Sequence, residues 1–186
     1  MRFIGREYEL KELNEEYNKG NFALSVIYGR RRVGKTYLIK EFLNDKKGYY
    51  FVALESNALI NLSLLSMAVY EACGNLKGLP DFLDFESAFR FLFEYAKENR
   101  IVFVIDEYPY LAQTTEHISS LLQKLIDEYR GNSKLFLILC GSSMSFMENQ
   151  VLAYKSPLYG RRTSQLKINP FNYLDAAKFV ENYILF

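Results

Sequence analysis

The stretch "YGRRRVGKTYL" at residues 28–38 limits the fold more than any other part of the chain. Gly29, Arg30, Arg31, Arg32, Val33, Gly34, Lys35 and Thr36 fit the pattern G-x-x-x-x-G-K-[ST] at every fixed position. Each fixed residue type has a physical reason. Glycines admit backbone angles and close approaches that let successive N–H groups point into one anion-binding concavity. A lysine there delivers a mobile point charge to β- and γ-phosphates. The threonine opens a helix whose positive end faces the anion, and its hydroxyl can ligate Mg²⁺. The loop lies between "FALSVIYG" (22–29), a β-branched run that reads as a strand, and "KTYLIKEFLND" (35–45), which reads as a helix. A phosphate cradle needs those neighbours. The variable-position arginines have two readings: solvated or carboxylate-paired side chains, or extra contacts to phosphate or a partner. Tyr37 directly follows the cradle and is counted with it.

The remaining pattern extends the strand and helix into a layered sheet. "YYFVAL" (49–54), "IVFVIDE" (101–107) and "KLFLILCGSS" (134–143) are nearly continuous apolar runs. Helical periodicity fills 6–19, 61–73, 85–100 and 116–130. Non-alternating strands separated by helices predict a parallel sheet covered on both faces. Beyond about residue 150 the pattern weakens. "LKINPF" (166–171) is a short strand candidate closed by Pro170, and "NYLDAAKFVENYILF" (172–186) reads as a helix running to the last residue.

A second set of residues selects among nucleotide chemistries. Asp106 closes the "IVFVID" strand, at the end where ligands of open α/β sheets bind. A carboxylate there can share Mg²⁺ with Thr36. Glu107 follows directly and can orient or deprotonate a water for in-line attack. Ser142 and Ser143 end the "LFLILCGSS" strand, where a hydroxyl either senses the γ-phosphate or caps a helix. Arg161 and Arg162 follow Gly160 in a loop. They are solvated, or they supply charge to a transferring phosphoryl group.

Composition excludes several alternatives. With 23 Lys+Arg against 22 Asp+Glu, the net charge of +1 does not describe a surface devoted to nucleic acid. His117 is the only histidine, so a histidine zinc site or a Ser-His-Asp triad has little to build on. Cys73 and Cys140 match no metal spacing and read as buried thiols of a reduced, cytoplasmic protein. The charged first residues contain no secretory h-region, and "LFLILC" is far too short to span a bilayer.

Five segments, "FIGREYEL" (3–10), "YGRRRVGKT" (28–36), "VFVIDEYPYL" (102–111), "LILCGSS" (137–143) and "SPLYGRRTSQLKINPF" (156–171), together resemble the archaeal and bacterial P-loop ATPases of the AAA+/STAND type. The resemblance covers nearly the whole chain. It implies a three-layer α/β P-loop fold with a five-stranded parallel sheet in the order 5-1-4-3-2, and ATP with Mg²⁺ as ligands. It places Phe3, Ile4, Gly5 and Arg6 over the adenine, and favours Ser142 as the polar sensor. It also casts Arg161 and Arg162 as finger-like residues acting on a neighbouring subunit. Residues 1–168 are then the ATPase core and 169–186 the start of a helical lid. Modules beyond that lid are where the resemblance puts any DNA or protein partner. Two functions follow: an Mg-dependent ATP hydrolase that drives conformational change in attached modules, or a nucleotide-gated switch with negligible turnover.

Overall fold

The computed structural model describes residues 4–177 apart from Asn75 and Lys77, with only the backbone for Leu174 and Ala177. Five strands, β1 (Ala23–Tyr28), β2 (Gly48–Val52), β3 (Ile101–Asp106), β4 (Leu135–Gly141) and β5 (Ser164–Lys167), form one sheet in the order β2-β3-β4-β1-β5. All four pairings are parallel. This is the expected 5-1-4-3-2 arrangement read from the other edge. The three central strands are buried at every position, which explains their unbroken apolar sequences.

Alternate residues of those strands serve different helix layers. Leu24, Val26, Phe103, Ile105, Leu137 and Leu139 join the core formed with α3 (Ala58–Ala72), α4 (Phe85–Glu98), α5 (Tyr108–Thr114) and α6 (Ile118–Tyr129). Ala23, Ile27, Val102, Val104, Phe136 and Ile138 pack on the other face with α1 (Glu7–Asn18) and α2 (Lys35–Leu43). Extending the β3 alternation by two residues puts Asp106 on the α2 face, the side on which Thr36 begins its helix. The sheet pleat therefore brings the two candidate metal ligands together.

Several boundaries differ from the sequence reading. α3 starts three residues before Asn61, because the Asn57 side chain accepts the Ile60 N–H at 2.9 Å and caps the helix there. β5 begins at Ser164, two residues before the expected strand, and only Leu166 within it is buried. Two elements were not expected: α5, directly after Glu107, and the short helix α7 (Met144–Phe146), which continues into a π-helical turn at Met147–Val151. Of the helix expected over 172–186, Asn172 precedes the helix, α8 (Tyr173–Ala177) is helical, and residues 178–186 lie outside the described residues. Both cysteines are buried and free, as expected. Among the described residues, no helix is long and apolar enough to cross a membrane.

Gly29 shows how tightly the cradle is bound to the sheet. A Cβ at this position would stand 2.2 Å from the Ile168 carbonyl oxygen, where the chain leaves β5. That oxygen is backbone and cannot rotate away. Gly29→Ala is therefore expected to lower stability by about 1–3 kcal/mol, the usual cost of overpacking, as a shift of the urea midpoint. An unchanged midpoint would show that the β1–β5 junction yields freely.

Candidate functional site

The site lies at the C-terminal rim of the sheet, where β1, β3 and β4 each end in a chemically active turn. After β1 the chain enters the Gly29–Thr36 loop. Gly34 caps α2 with φ of 95°, a left-handed backbone that favours glycine, and nothing lies within 4 Å of where its Cβ would stand. The space on that side of the turn is open. Arg32 is also left-handed, at φ 64°. Lys35 is buried, and its Nζ donates to the carbonyls of Gly29 at 2.8 Å and Arg30 at 2.9 Å. Its ammonium thus sits inside the loop it would share with phosphates. Thr36 and Tyr37 are exposed on the first turn of α2, and Val33 is half-buried behind the loop.

Asp106 is buried at the end of β3. Its Oδ1 accepts the N–H of Glu107 at 2.9 Å, and its Oδ2 accepts the hydroxyl of Tyr50. Thr36 Oγ1 lies 3.4 Å from the same hydroxyl oxygen. Burial, followed by the bond to Asp106, raises the Tyr50 pKa well above that of a free phenol, so Tyr50 remains a neutral donor. One hydroxyl thus marks a point in reach of both a carboxylate and a threonine oxygen. That donor set suits Mg²⁺, which takes one or two carboxylates and completes its octahedron with phosphate oxygens and water. Among the described residues no group of three or more His, Cys, Asp or Glu could hold a metal ion. Cys140 pairs with the Asp106 region from β4. Burial first, then the Asp106 charge, pushes its thiol pKa well above normal, which keeps it inert.

Glu107 has φ of 50°, rare for a residue with a Cβ, and this turns it away from the strand direction. Its carboxylate accepts the Ser142 hydroxyl, with both oxygens at 3.0 Å, and the Ser142 N–H at 3.3 Å. β3 and β4 are adjacent, so residues 35 apart in sequence meet at the rim. Ser143 occupies the N-cap position of α7 but makes no side-chain cap bond. A cavity of about 320 Å³ opens beside this pair, lined by Arg30, Arg31, Glu107, Tyr110 and Ser142 among others.

Of the amino-terminal candidates, Arg6 borders the cradle, and the arginines after Gly160 lie away from it. Phe3 lies outside the described residues. Ile4 is half-buried, and Gly5 abuts Phe171, whose ring would come within 2.7 Å of an added Cβ. Arg6 is buried: it pairs with Glu9 at 2.9 Å, donates to the carbonyls of Val33 and Asn169, and lies 4.2 Å from the Phe171 ring centroid. Its guanidinium staples the amino-terminal segment to the cradle and to the chain after β5. Arg161 forms a two-pronged pair with Asp127 at 2.9 and 2.7 Å, and Arg162 donates to the Leu152 carbonyl at 3.2 Å. The adjacent Thr163 is bonded to Leu24, near the start of β1. At about 3.3 Å per residue, that is some 15 Å from the cradle. Within one chain these arginines do not reach the P-loop. Tyr50 is the site residue the sequence reading missed, since "YYFVAL" offers several interchangeable aromatics and only register selects one.

This fold and this rim define a P-loop ATPase core. A family of ATPase domains found predominantly in Archaea matches residues 3–184, and the chain belongs to that family. An uncharacterized protein of Methanocaldococcus jannaschii is 38% identical over 177 residues, which are 95% of this chain and 38% of that protein. The chain therefore spans well under half of that relative. An uncharacterized ATP-binding protein of the same organism is 51% identical over 47 residues, 25% of this chain and 80% of the other. Among solved structures, a Walker-type ATPase of Pyrococcus abyssi superposes with a TM-score of 0.73 at 23% identity, covering 97% of this chain and 57% of that one. The ORC1 protein of Aeropyrum pernix, solved in complex with DNA, gives 0.67 at 18% identity, covering 97% and 49%. At such identities these structures show the shared fold.

Proposed function

We propose that the chain binds ATP with Mg²⁺ in the Gly29–Thr36 cradle and hydrolyses it. Turnover moves modules attached to this core, which we take to be residues 1–168, with 169–186 beginning a lid. Thr36 and Asp106 would hold the metal, which when bound neutralises charge on the β- and γ-phosphates. The backbone of the cradle and Lys35 bind and orient the triphosphate. Glu107 accepts the proton of the attacking water, and Ser142 keeps its carboxylate aimed.

The observation that carries the reading is the Glu107–Ser142 contact at the mouth of a cavity bordered by cradle arginines. A base, its orienting donor and phosphate-binding cations share one small volume there. The named ATP-binding relative and the Walker-type structural neighbour support the same conclusion.

A second reading is a nucleotide-gated switch with negligible turnover, in which the Ser142 hydroxyl and N–H hold the Glu107 carboxylate back from water. DNA enters only through the likeness to ORC1, and a cytoplasmic location goes with the proposal. Arg161 and Arg162 act on phosphate in this scheme only if a second copy presents them.

Phosphate release from ATP tests the choice. With Mg²⁺ present, steady release is expected; with a chelator in excess, release falls to background because Asp106 and Thr36 lose the ion they share. Tight ATP binding without release in Mg²⁺ would favour the switch.

A further inference from the structure

Beyond Lys35 and the metal that Thr36 and Asp106 would hold, phosphoryl transfer gains from a further cation at the equatorial γ-phosphate oxygens. As the water oxygen bonds to the γ-phosphorus, the bond to the β–γ bridging oxygen breaks and its electron pair leaves with ADP. The water proton passes to Glu107. Charge on the equatorial oxygens must be met during that exchange. Arg161 is committed to Asp127 near the opposite rim, so one chain cannot use it here.

We propose that Arg31 supplies this charge in cis, from the variable part of its own cradle. The inference rests on the hydrolase reading above. Arg31 and Glu107 line the same cavity of about 320 Å³, together with Ser142. Arg31 Nη2 donates to the Tyr110 hydroxyl at 3.1 Å. Tyr110 belongs to α5, the helix that Glu107 caps, and its own N–H donates to the Glu107 carbonyl at 2.9 Å. The guanidinium is therefore tethered to the same turn that sets the base, so cation and carboxylate are positioned together.

The neighbouring arginines are less well placed. Arg30 also borders a second cavity of about 330 Å³, with Lys167 and Asn169, so its side chain stands on the divide between the two. Arg32 lines neither of these cavities and has a left-handed backbone. Arg31 is the one arginine with both a cavity face and a tether. Its planar fork presents two parallel N–H donors in fixed geometry to two oxygens of one phosphoryl group, where an ammonium acts as a point charge without that fork.

Turnover in cis has a kinetic signature. Specific ATPase activity should be constant over about a hundredfold range of protein concentration, because no second copy is required. Arg31→Ala should lower kcat by about 10³-fold, the low end of arginine contributions to phosphoryl transfer, while ATP affinity changes by no more than about threefold. Arg31→Lys should recover only part of the loss. A readout without turnover is calorimetric binding of Mg²⁺–ADP with aluminium fluoride, which mimics the transferring phosphoryl: the wild type should bind tightly and Arg31→Ala should not.

The proposal is overturned if Arg31→Ala keeps wild-type turnover and wild-type binding of that complex, or if specific activity climbs with protein concentration. A wild-type protein that binds ATP yet neither releases phosphate nor takes up the aluminium fluoride complex would instead overturn the hydrolase reading, and this inference with it.

Discussion

Glu107→Gln is expected to stop ATP turnover while leaving ATP binding almost unchanged. The amide has the size of the carboxylate, so the left-handed turn at residue 107 and the packing of α5 are retained. Its single oxygen can still accept the Ser142 hydroxyl, which now reaches both carboxylate oxygens at 3.0 Å. What the substitution removes is basicity. Positioned proton transfer contributes about 10²–10⁴-fold, so single-turnover phosphate release should slow by about that factor. Calorimetry with ATP should give nearly the wild-type affinity, because Glu107 lies outside the Gly29–Thr36 loop proposed to hold the triphosphate. If wild-type release is no faster than that of Glu107→Gln, the carboxylate is not acting as a base and the nucleotide-gated switch is the better description.

The sheet and the cradle were legible in the sequence for the same reason. Buried parallel strands have no solvent face, so "LSVIY", "IVFVI" and "LFLIL" appear as apolar blocks, and each block ends where the rim becomes polar: Gly29, Asp106 and Ser142. Residues at strand ends inherit their position from the strand, which is why Glu107 and Ser142 could be named before their contact was known. β5 was harder to read. It is an edge strand with one buried residue, so Ser164 and Gln165 carry no apolar signal. α5 was hidden because "YPYLAQT" begins with a proline-containing turn and is only seven residues long, too short for helical periodicity to emerge.

Arginine roles were the least legible. "GRRRVGKT" and "YGRR" look equally cationic, and only the resemblance gave Arg6 of "GRE" a place at the nucleotide. Only three-dimensional partners separate them. Asp127 takes Arg161, the carbonyls of Val33 and Asn169 take Arg6, and the Tyr110 hydroxyl takes Arg31. Tyr50 belongs with them. Asp106 is level with Val52 in the β2–β3 register, and the long phenol ring of Tyr50 covers the two-residue offset. Local sequence has no means of stating that reach.

Lys35→Ala carries the second large effect. The Lys35 ammonium is buried, and the carbonyls of Gly29 and Arg30 hold it at 2.8 and 2.9 Å. A buried charge persists only where acceptors satisfy it, and phosphate oxygens are stronger acceptors than carbonyls. Each charge-assisted hydrogen bond is worth about 1.5–3 kcal/mol, and about 1.4 kcal/mol is tenfold in affinity. Losing two such bonds should weaken ATP binding by about 100-fold or more. The fold should survive, because both carbonyls lie at the rim, where water can replace the ammonium. Titration of Mg²⁺–ATP into wild type and Lys35→Ala is therefore the most direct measurement of whether this loop encloses a triphosphate. Saturable binding heat in the wild type, and none in the variant at the same ATP concentrations, is the predicted result. Equal binding by both proteins would contradict it.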